Sequence, residues 1–158
     1  MSYIEQNIMV NEHVVYIAKI HWITFKWPIL LVIASVPFLF FGKDLMIVSG
    51  VLFVLAIIAA IPPAINRLSS EFGITNKRVI VKVGFIRRTS LEVMLSKIEG
   101  ILVDQSLMGR ILNYGSITIN GTGGTRDPFN NISHPLEFRK KAQEQILVVQ
   151  EGKSLNIS

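Results

Sequence analysis

The chain has 158 residues, of which 50% are apolar and 17% charged, with a net charge of +5 and no cysteine. That balance excludes a disordered chain, which needs low hydrophobicity and high charge, and the lack of cysteine excludes a disulfide scaffold, a thiolate zinc site and a cysteine nucleophile. The length allows one domain, or one small domain with a membrane part, and the basic balance points to anionic partners.

In chain order, residues 1–22 come first. Val14, Tyr16, Ala18 and Ile20 alternate, which fits a strand or a cytoplasmic interfacial segment. Two apolar runs follow, without charge over Trp27–Gly42 and Leu45–Asn66, and predict a transmembrane helical hairpin over 23–65. The first run, taken from Ile23 to Phe41, reaches about 28 Å as a helix and includes Lys26, whose stem can carry its ammonium to the headgroups. Trp22, Lys26 and Trp27 read as interfacial anchors, and Pro37 is tolerated where neighbours satisfy the freed carbonyls. The second run, Leu45–Ile65, is 21 residues long and reaches about 32 Å, enough for a hydrocarbon core of roughly 30 Å. Pro62 and Pro63 are expected to end or kink it. Gly42, Lys43 and Asp44 form the turn between the two helices, so both chain ends lie on one side. Lys19, Lys26, Arg67, Lys77 and Arg78 flank that side, against Lys43 at the turn. The positive-inside rule therefore makes both termini cytoplasmic. Glu5 and Glu12 precede the first run and no small-residue cleavage site follows it, which argues against a cleaved signal peptide. Ser49-Gly50 and Ala56/Ala60 supply small residues for close helix contact.

After Arg67 the pattern changes to short strands. Glu71–Thr75 and Arg78–Val83 are β-rich runs separated by a turn at Asn76-Lys77. Gly84 supplies a hairpin, residues 85–93 a return strand, and Ile98–Asp104 a further strand with Gly100 as a candidate bulge. Ser106–Leu112 is ambiguous and fits one helical turn. Gly115–Asn120 alternates with period two, Gly121–Gly124 is a turn, and Thr125–Ile132 reads as a poorer strand. Pro135 at the first helical position and Glu137 in the first turn start a helix, whose apolar face is Phe138, Ala142, Ile146 and Val149. Six or seven antiparallel strands capped by one helix predict an α+β domain over 67–150, with a tail over 151–158.

The run Thr75–Gly121 closely resembles bacterial pleckstrin-homology (PH) domains of the membrane-flanked type. The resemblance rests on Thr75-Asn76-Lys77-Arg78, Gly84, Leu95-Ser96-Lys97-Ile98, Gln105-Ser106, Gly109-Arg110 and Tyr114-Gly115. Asn11–Val15 and Ile20-His21-Trp22 resemble what precedes the helical hairpin in that family. The resemblance implies a PH-like bent antiparallel β-barrel of seven strands closed by a C-terminal helix. It implies no particular activity.

Chemistry is sparse. His13, His21 and His134 stand at no metal-ligand spacing, and the chain holds no P-loop and no G-x-S-x-G elbow. Gly121-Thr122-Gly123-Gly124 lacks the following helix that a phosphate loop needs. No enzyme, cofactor or metal is expected. All the net charge sits in residues 67–158, and Lys77, Arg78, Lys82, Arg87 and Arg88 gather around the first hairpin. They are the candidate contacts for anionic headgroups, each cation near such a surface contributing about 1 kcal/mol. No aromatic platform interleaves them, so nucleic acid is not expected. The leading reading is a non-enzymatic interaction module on the cytoplasmic face of a bacterial inner membrane. It would bind a protein partner or assemble as a homo-oligomer through an edge strand or the groove between helix and barrel. The alternatives are a sensor of anionic lipid headgroups and an accessory subunit of a membrane transport complex.

Overall fold

The computed structural model describes residues 4, 7–40, 42–84, 89–122, 124, 125 and 128–155. The chain divides into two units, one of Met1–His21 with Ser69–Ser158 and one of Trp22–Leu68.

The helical unit opens with a 3-10 turn over Trp22–Phe25 and continues as α1, Lys26–Ser35. Pro37 has no N–H to extend α1, and the chain tightens into a second 3-10 turn, Pro37–Leu39. Gly42 takes φ +106°, a conformation that L side chains rarely adopt. Lys43 and Asp44 then open α2, Lys43–Ser69, with Asp44 beside the positive end of the helix dipole. The expected three-residue turn is thus displaced: Gly42 turns the chain, while Lys43 and Asp44 are helical. Pro62 and Pro63, expected to end or kink the second run, do not end it: both lie inside α2, which continues through them to Ser69. Ser49 and Ala56, seven residues apart on one face, are buried, whereas Ile47, Val54 and Ile58 are more than half exposed.

The other unit is built on two antiparallel sheets. The first runs in the order β1 (Val14–Ala18), β2 (Glu71–Thr75), β3 (Arg78–Val83) and β4 (Thr89–Met94). The second pairs β5 (Ile98–Asp104) with β6 (Tyr114–Gly121), and β6 with both β7 (Gly124–Thr125) and β8 (Phe129–Ser133). Gly84 has φ +90° at the end of β3, as its hairpin position requires. The β5–β6 register shifts between Ile98 and Gly100, where the bulge was expected. The run read as one strand over Thr125–Ile132 is divided into β7 and β8. A short helix, α3 (Leu107–Leu112), joins β5 to β6, and α4 (Pro135–Leu155) closes the fold. Residues 151–155 therefore continue α4 instead of forming a separate tail.

The boundary expected between residues 1–22 and the barrel also needs correction, because β1 is an integral strand. Ala18 pairs with Phe72 and Ile17 with Gly73 across the whole of the Trp22–Leu68 unit. Beyond β1 the same segment changes sheets. Ile20 bridges Ile132, the Ser133 N–H donates to the Lys19 carbonyl at 2.9 Å, and the His21 N–H donates to the Asn131 carbonyl at 2.6 Å. Ala18 and Ile20 enter the core with Phe72, Ile74, Val79, Val81, Leu95, Ile101, Ile117, Ile119 and Ile132. Phe138 and Ala142 of α4 complete it, with Ile146 and Val149 packed at its margin. That is the apolar face which the helical spacing predicts.

Candidate functional site

Two corners of the barrel unit carry the residues singled out by sequence. The β2–β3 corner is Thr75-Asn76-Lys77-Arg78. The Thr75 hydroxyl oxygen accepts the Lys77 and Arg78 N–H groups at 3.2 and 3.0 Å, which folds the turn. The Asn76 side chain accepts the His13 N–H at 3.0 Å and donates to the Asn11 carbonyl at 3.2 Å. Lys77 is exposed, and its ammonium donates to the Val10 carbonyl at 2.9 Å.

Arg78 departs from the expected headgroup contact. It is 5% exposed, and its guanidinium clasps Glu12 through Nε at 2.9 Å and a terminal nitrogen at 3.0 Å. It also donates to the Asn7 carbonyl at 2.9 Å and to Glu92. Glu12 accepts the Thr75 hydroxyl at 2.7 Å and the Met9 N–H at 2.8 Å as well. Burial pushes the Glu12 carboxyl up, but the Arg78 and Met9 donors, the Thr75 hydroxyl and the Arg78 charge together hold it below the ordinary 4.5. The hydrogen bond that Arg78 donates to Glu12 raises the Arg78 guanidinium in turn. This corner is a polar knot that fastens the N-terminal segment to the barrel. Above it, Ile4 is fully buried over Gly73, where an added Cβ would lie 2.5 Å from Ile4 Cδ1. Lys82 is half-buried and stands opposite Glu71 in the β2–β3 register. Arg87 and Arg88 lie outside the described residues. Of the three described cations, Lys77 is exposed, Lys82 half-buried and Arg78 buried in its own ion pairs.

The β5–β6 corner, Gln105 to Gly115, inverts this arrangement. Ser106 caps α3, its Oγ accepting the Gly109 N–H at 3.1 Å, and Asn113 ends the helix in the left-handed region at φ +59°. Gln105 Nε2 donates to the carbonyls of Gly109 at 3.3 Å and Tyr114 at 3.0 Å. Gly109 and Gly115 sit where a side chain would crowd the backbone. A Cβ on the first would lie 2.6 Å from the Tyr114 oxygen, and on the second 2.5 Å from the Asp104 oxygen. Every polar device in the corner thus fixes the backbone. Beside Ser106 and Arg110 it presents large apolar side chains to solvent: Leu107, Met108 and Ile111 are 79%, 61% and 76% exposed. Sequence reading treated Ser106–Leu112 as an ambiguous turn and missed this surface. Its signal was four large apolar residues in a helix too short to bury them all.

A cleft of about 470 Å³ borders the same corner, lined by Val103, Asp104, Gln105, Arg110, Asn113 and Leu136. Among the described residues, no group of three or more His, Asp or Glu side chains is placed to hold a metal. His21 stacks on Tyr114 with ring centroids 5.2 Å apart, and His134, at φ +51°, leads into Pro135 at the start of α4. In the helical unit, Trp22 and Trp27 are exposed, and the Lys26 ammonium lies 5.7 Å from the centre of the Trp27 ring.

The family model for the bacterial PH domain matches residues 28–146. The chain belongs to the bacterial PH domain family. The match starts in α1 and ends in α4, so it takes in the helical hairpin as well as β2 to β8. It leaves out β1, which the structure joins to the domain. No curated protein and no solved structure matches the chain. Membership makes this PH-like domain a binding module by family character, PH domains being in general non-catalytic. Trp22–Leu39 and Lys43–Ser69 are long and apolar enough to cross a membrane, with 11% of each apolar stretch buried.

Proposed function

We propose that this bacterial PH domain protein is a non-enzymatic binding module anchored in the bacterial inner membrane by two spans, its barrel and both chain ends on the cytoplasmic face. One observation carries the reading: β1, before the hairpin, and β2, after it, are hydrogen-bonded neighbours. A chain that leaves one side of a domain through Trp22 and returns to it at Glu71 crosses a membrane an even number of times. A cleaved signal sequence would remove β1, and with it Ala18 and Ile20 from the core. Large exposed side chains along both helices support the same reading, because a soluble monomer rarely exposes a contiguous apolar patch above a few hundred Å². The cation asymmetry about Lys43 favours the cytoplasmic orientation.

The ligand is a protein partner or a second copy of this chain. β4 ends the first sheet, and among the described residues no strand pairs with its outer edge. An open edge is the template for strand addition. Two measurements test the proposal. Alkaline carbonate should leave the protein in the membrane fraction. Native mass spectrometry from mild detergent should then resolve a second protein, or a homo-oligomer, at fixed stoichiometry. A monomer retaining only anionic lipid would contradict the partner and favour headgroup sensing by Lys77, Lys82, Arg87 and Arg88.

A further inference from the structure

The exposed apolar corner at α3 calls for an occupant. Leu107, Met108 and Ile111 occur at i, i+1 and i+4, so they share one side of the helix, while Gly109 on the other side is buried. Ser106, Gln105 and the Asn113 cap tie the corner's backbone in this arrangement, with those three side chains outward.

The position of the corner within the barrel unit identifies the occupant. Tyr114, next to the Asn113 cap, stacks on His21 at 5.2 Å. The His134 N–H donates to the Asn113 carbonyl at 2.9 Å, and β8, which leads into His134, is hydrogen-bonded to Lys19 and His21. His21 is the last residue of the barrel unit before the chain passes into the first membrane-length segment at Trp22. No linker intervenes there, and only Ser70 separates α2 from β2 on the return. Within the barrel unit the apolar corner is thus tied to the strand end from which the chain leaves for the first membrane-length segment. Arg110 on α3 and Lys19, two residues before His21, are exposed and supply cations for phosphate, with Asp104 sharing the Arg110 cleft. Leu, Met and Ile beside basic side chains is the composition of an interfacial lipid contact.

We propose that Leu107, Met108 and Ile111 insert into the membrane interface next to the hairpin, with Arg110 at headgroup level, as a third lipid contact that fixes the orientation of the barrel on the bilayer. The proposal rests on the membrane-anchored reading. Its consequence is that the open β4 edge is presented to the cytosol in one fixed attitude instead of swinging on a tether.

The chain has no cysteine, so single-cysteine spin labels are clean reporters. Full-length Met108→Cys, Val54→Cys and Glu144→Cys are each labelled and reconstituted into vesicles of phosphatidylcholine with a minority of phosphatidylglycerol. Collision with oxygen, which partitions into lipid, is compared with collision with a water-soluble nickel chelate. The proposal expects the labels at 108 and 54 to favour oxygen and the label at 144 to favour nickel, with a several-fold contrast in the collision ratio. A label at 108 that behaves like 144, while 54 stays in lipid, overturns the insertion and leaves the anchor intact. An aqueous label at 54 overturns the anchor itself, and the insertion with it. Shielding of 108 from both reagents, with broadening between labelled copies, overturns lipid as the occupant in favour of a second chain.

Discussion

The two corners of the barrel use the same kind of backbone for opposite ends. At β2–β3, a turn tied by Thr75 and Asn76 draws its charges inward, and Arg78 disappears under Glu12, Glu92 and the Asn7 carbonyl. At β5–β6, a turn tied by Ser106, Gln105 and Asn113 pushes its apolar side chains outward. The difference teaches that residue type does not decide the role of a tight corner; the supply of partners does. Glu12, brought back by the strand before the hairpin, gives Arg78 a partner 66 residues away. Nothing among the described residues of the barrel unit covers Leu107, Met108 or Ile111. The first corner contributes stability, and the second a surface.

The comparison makes its sharpest prediction at Glu12. Glu12→Ala removes one side of a buried ion pair and leaves the Arg78 charge undercompensated. Such losses cost about 3–5 kcal/mol, which in a domain of this size lowers Tm by more than about 10 °C. Thermal unfolding of the full chain in detergent checks it, and a Tm within a few degrees of the parent would make the knot ornamental.

A smaller effect separates the glycines. Gly115→Ala drives a Cβ to 2.5 Å from a backbone oxygen, that of Asp104, which cannot swing away. The overpacking should cost about 1–3 kcal/mol. Gly73→Ala meets Ile4 Cδ1 at the same 2.5 Å, but that atom is the flexible end of a side chain on the N-terminal segment. Its cost should be the lesser of the two in denaturant titrations of the same preparation.

The acid limb of the pH dependence should also belong to one corner. The folded state holds Glu12 below its ordinary 4.5, so its contribution is present above that value and is lost as pH falls through the lower folded value. Tm followed from neutral pH downward should hold until the pH approaches about 4.5 and then decline, with a shallower decline in Glu12→Gln. At the alkaline end, burial and the Glu137 carboxylate raise Tyr16 to about 12. Its contribution is complete below the ordinary 10 and is lost only as pH rises toward 12.

The smallest effect completes the contrast. Met108→Ser and Ile111→Ser alter side chains that are mostly exposed, so each should change stability by less than about 0.5 kcal/mol. A large loss would mean that the apolar corner supports the fold, and its reading as a free surface would fail.

What the sequence disclosed follows the range of the interactions concerned. β-rich runs around the Asn76-Lys77 turn placed β2 and β3, and period-two alternation placed the Ile117/Ile119 core positions, because both signals are local. Pro135 and the spacing of Phe138, Ala142, Ile146 and Val149 did the same for α4. The role of β1 was not legible. It is five residues long, its register shifts between Val14 and Tyr16, and its partner lies beyond the whole hairpin. Arg78 was misread for the same reason, since its partner Glu12 lies 66 residues away and nothing near Arg78 in sequence announces it. The α3 surface escaped because apolar residues are expected to point inward. Only the contacts of Gly109 and the capping of Ser106 reveal which side of that helix is already full.

The central claim is that strands on both sides of the hairpin form one domain on one side of a membrane, and topology labelling tests it most directly. Single cysteines at His13, Lys43 and Glu144 are probed in intact spheroplasts with a membrane-impermeant thiol reagent. The account predicts that only the Lys43 position is labelled from outside, and that positions 13 and 144 react together once the membrane is opened. Labelling of 13 and 144 from opposite sides would contradict it, as would labelling of all three from outside.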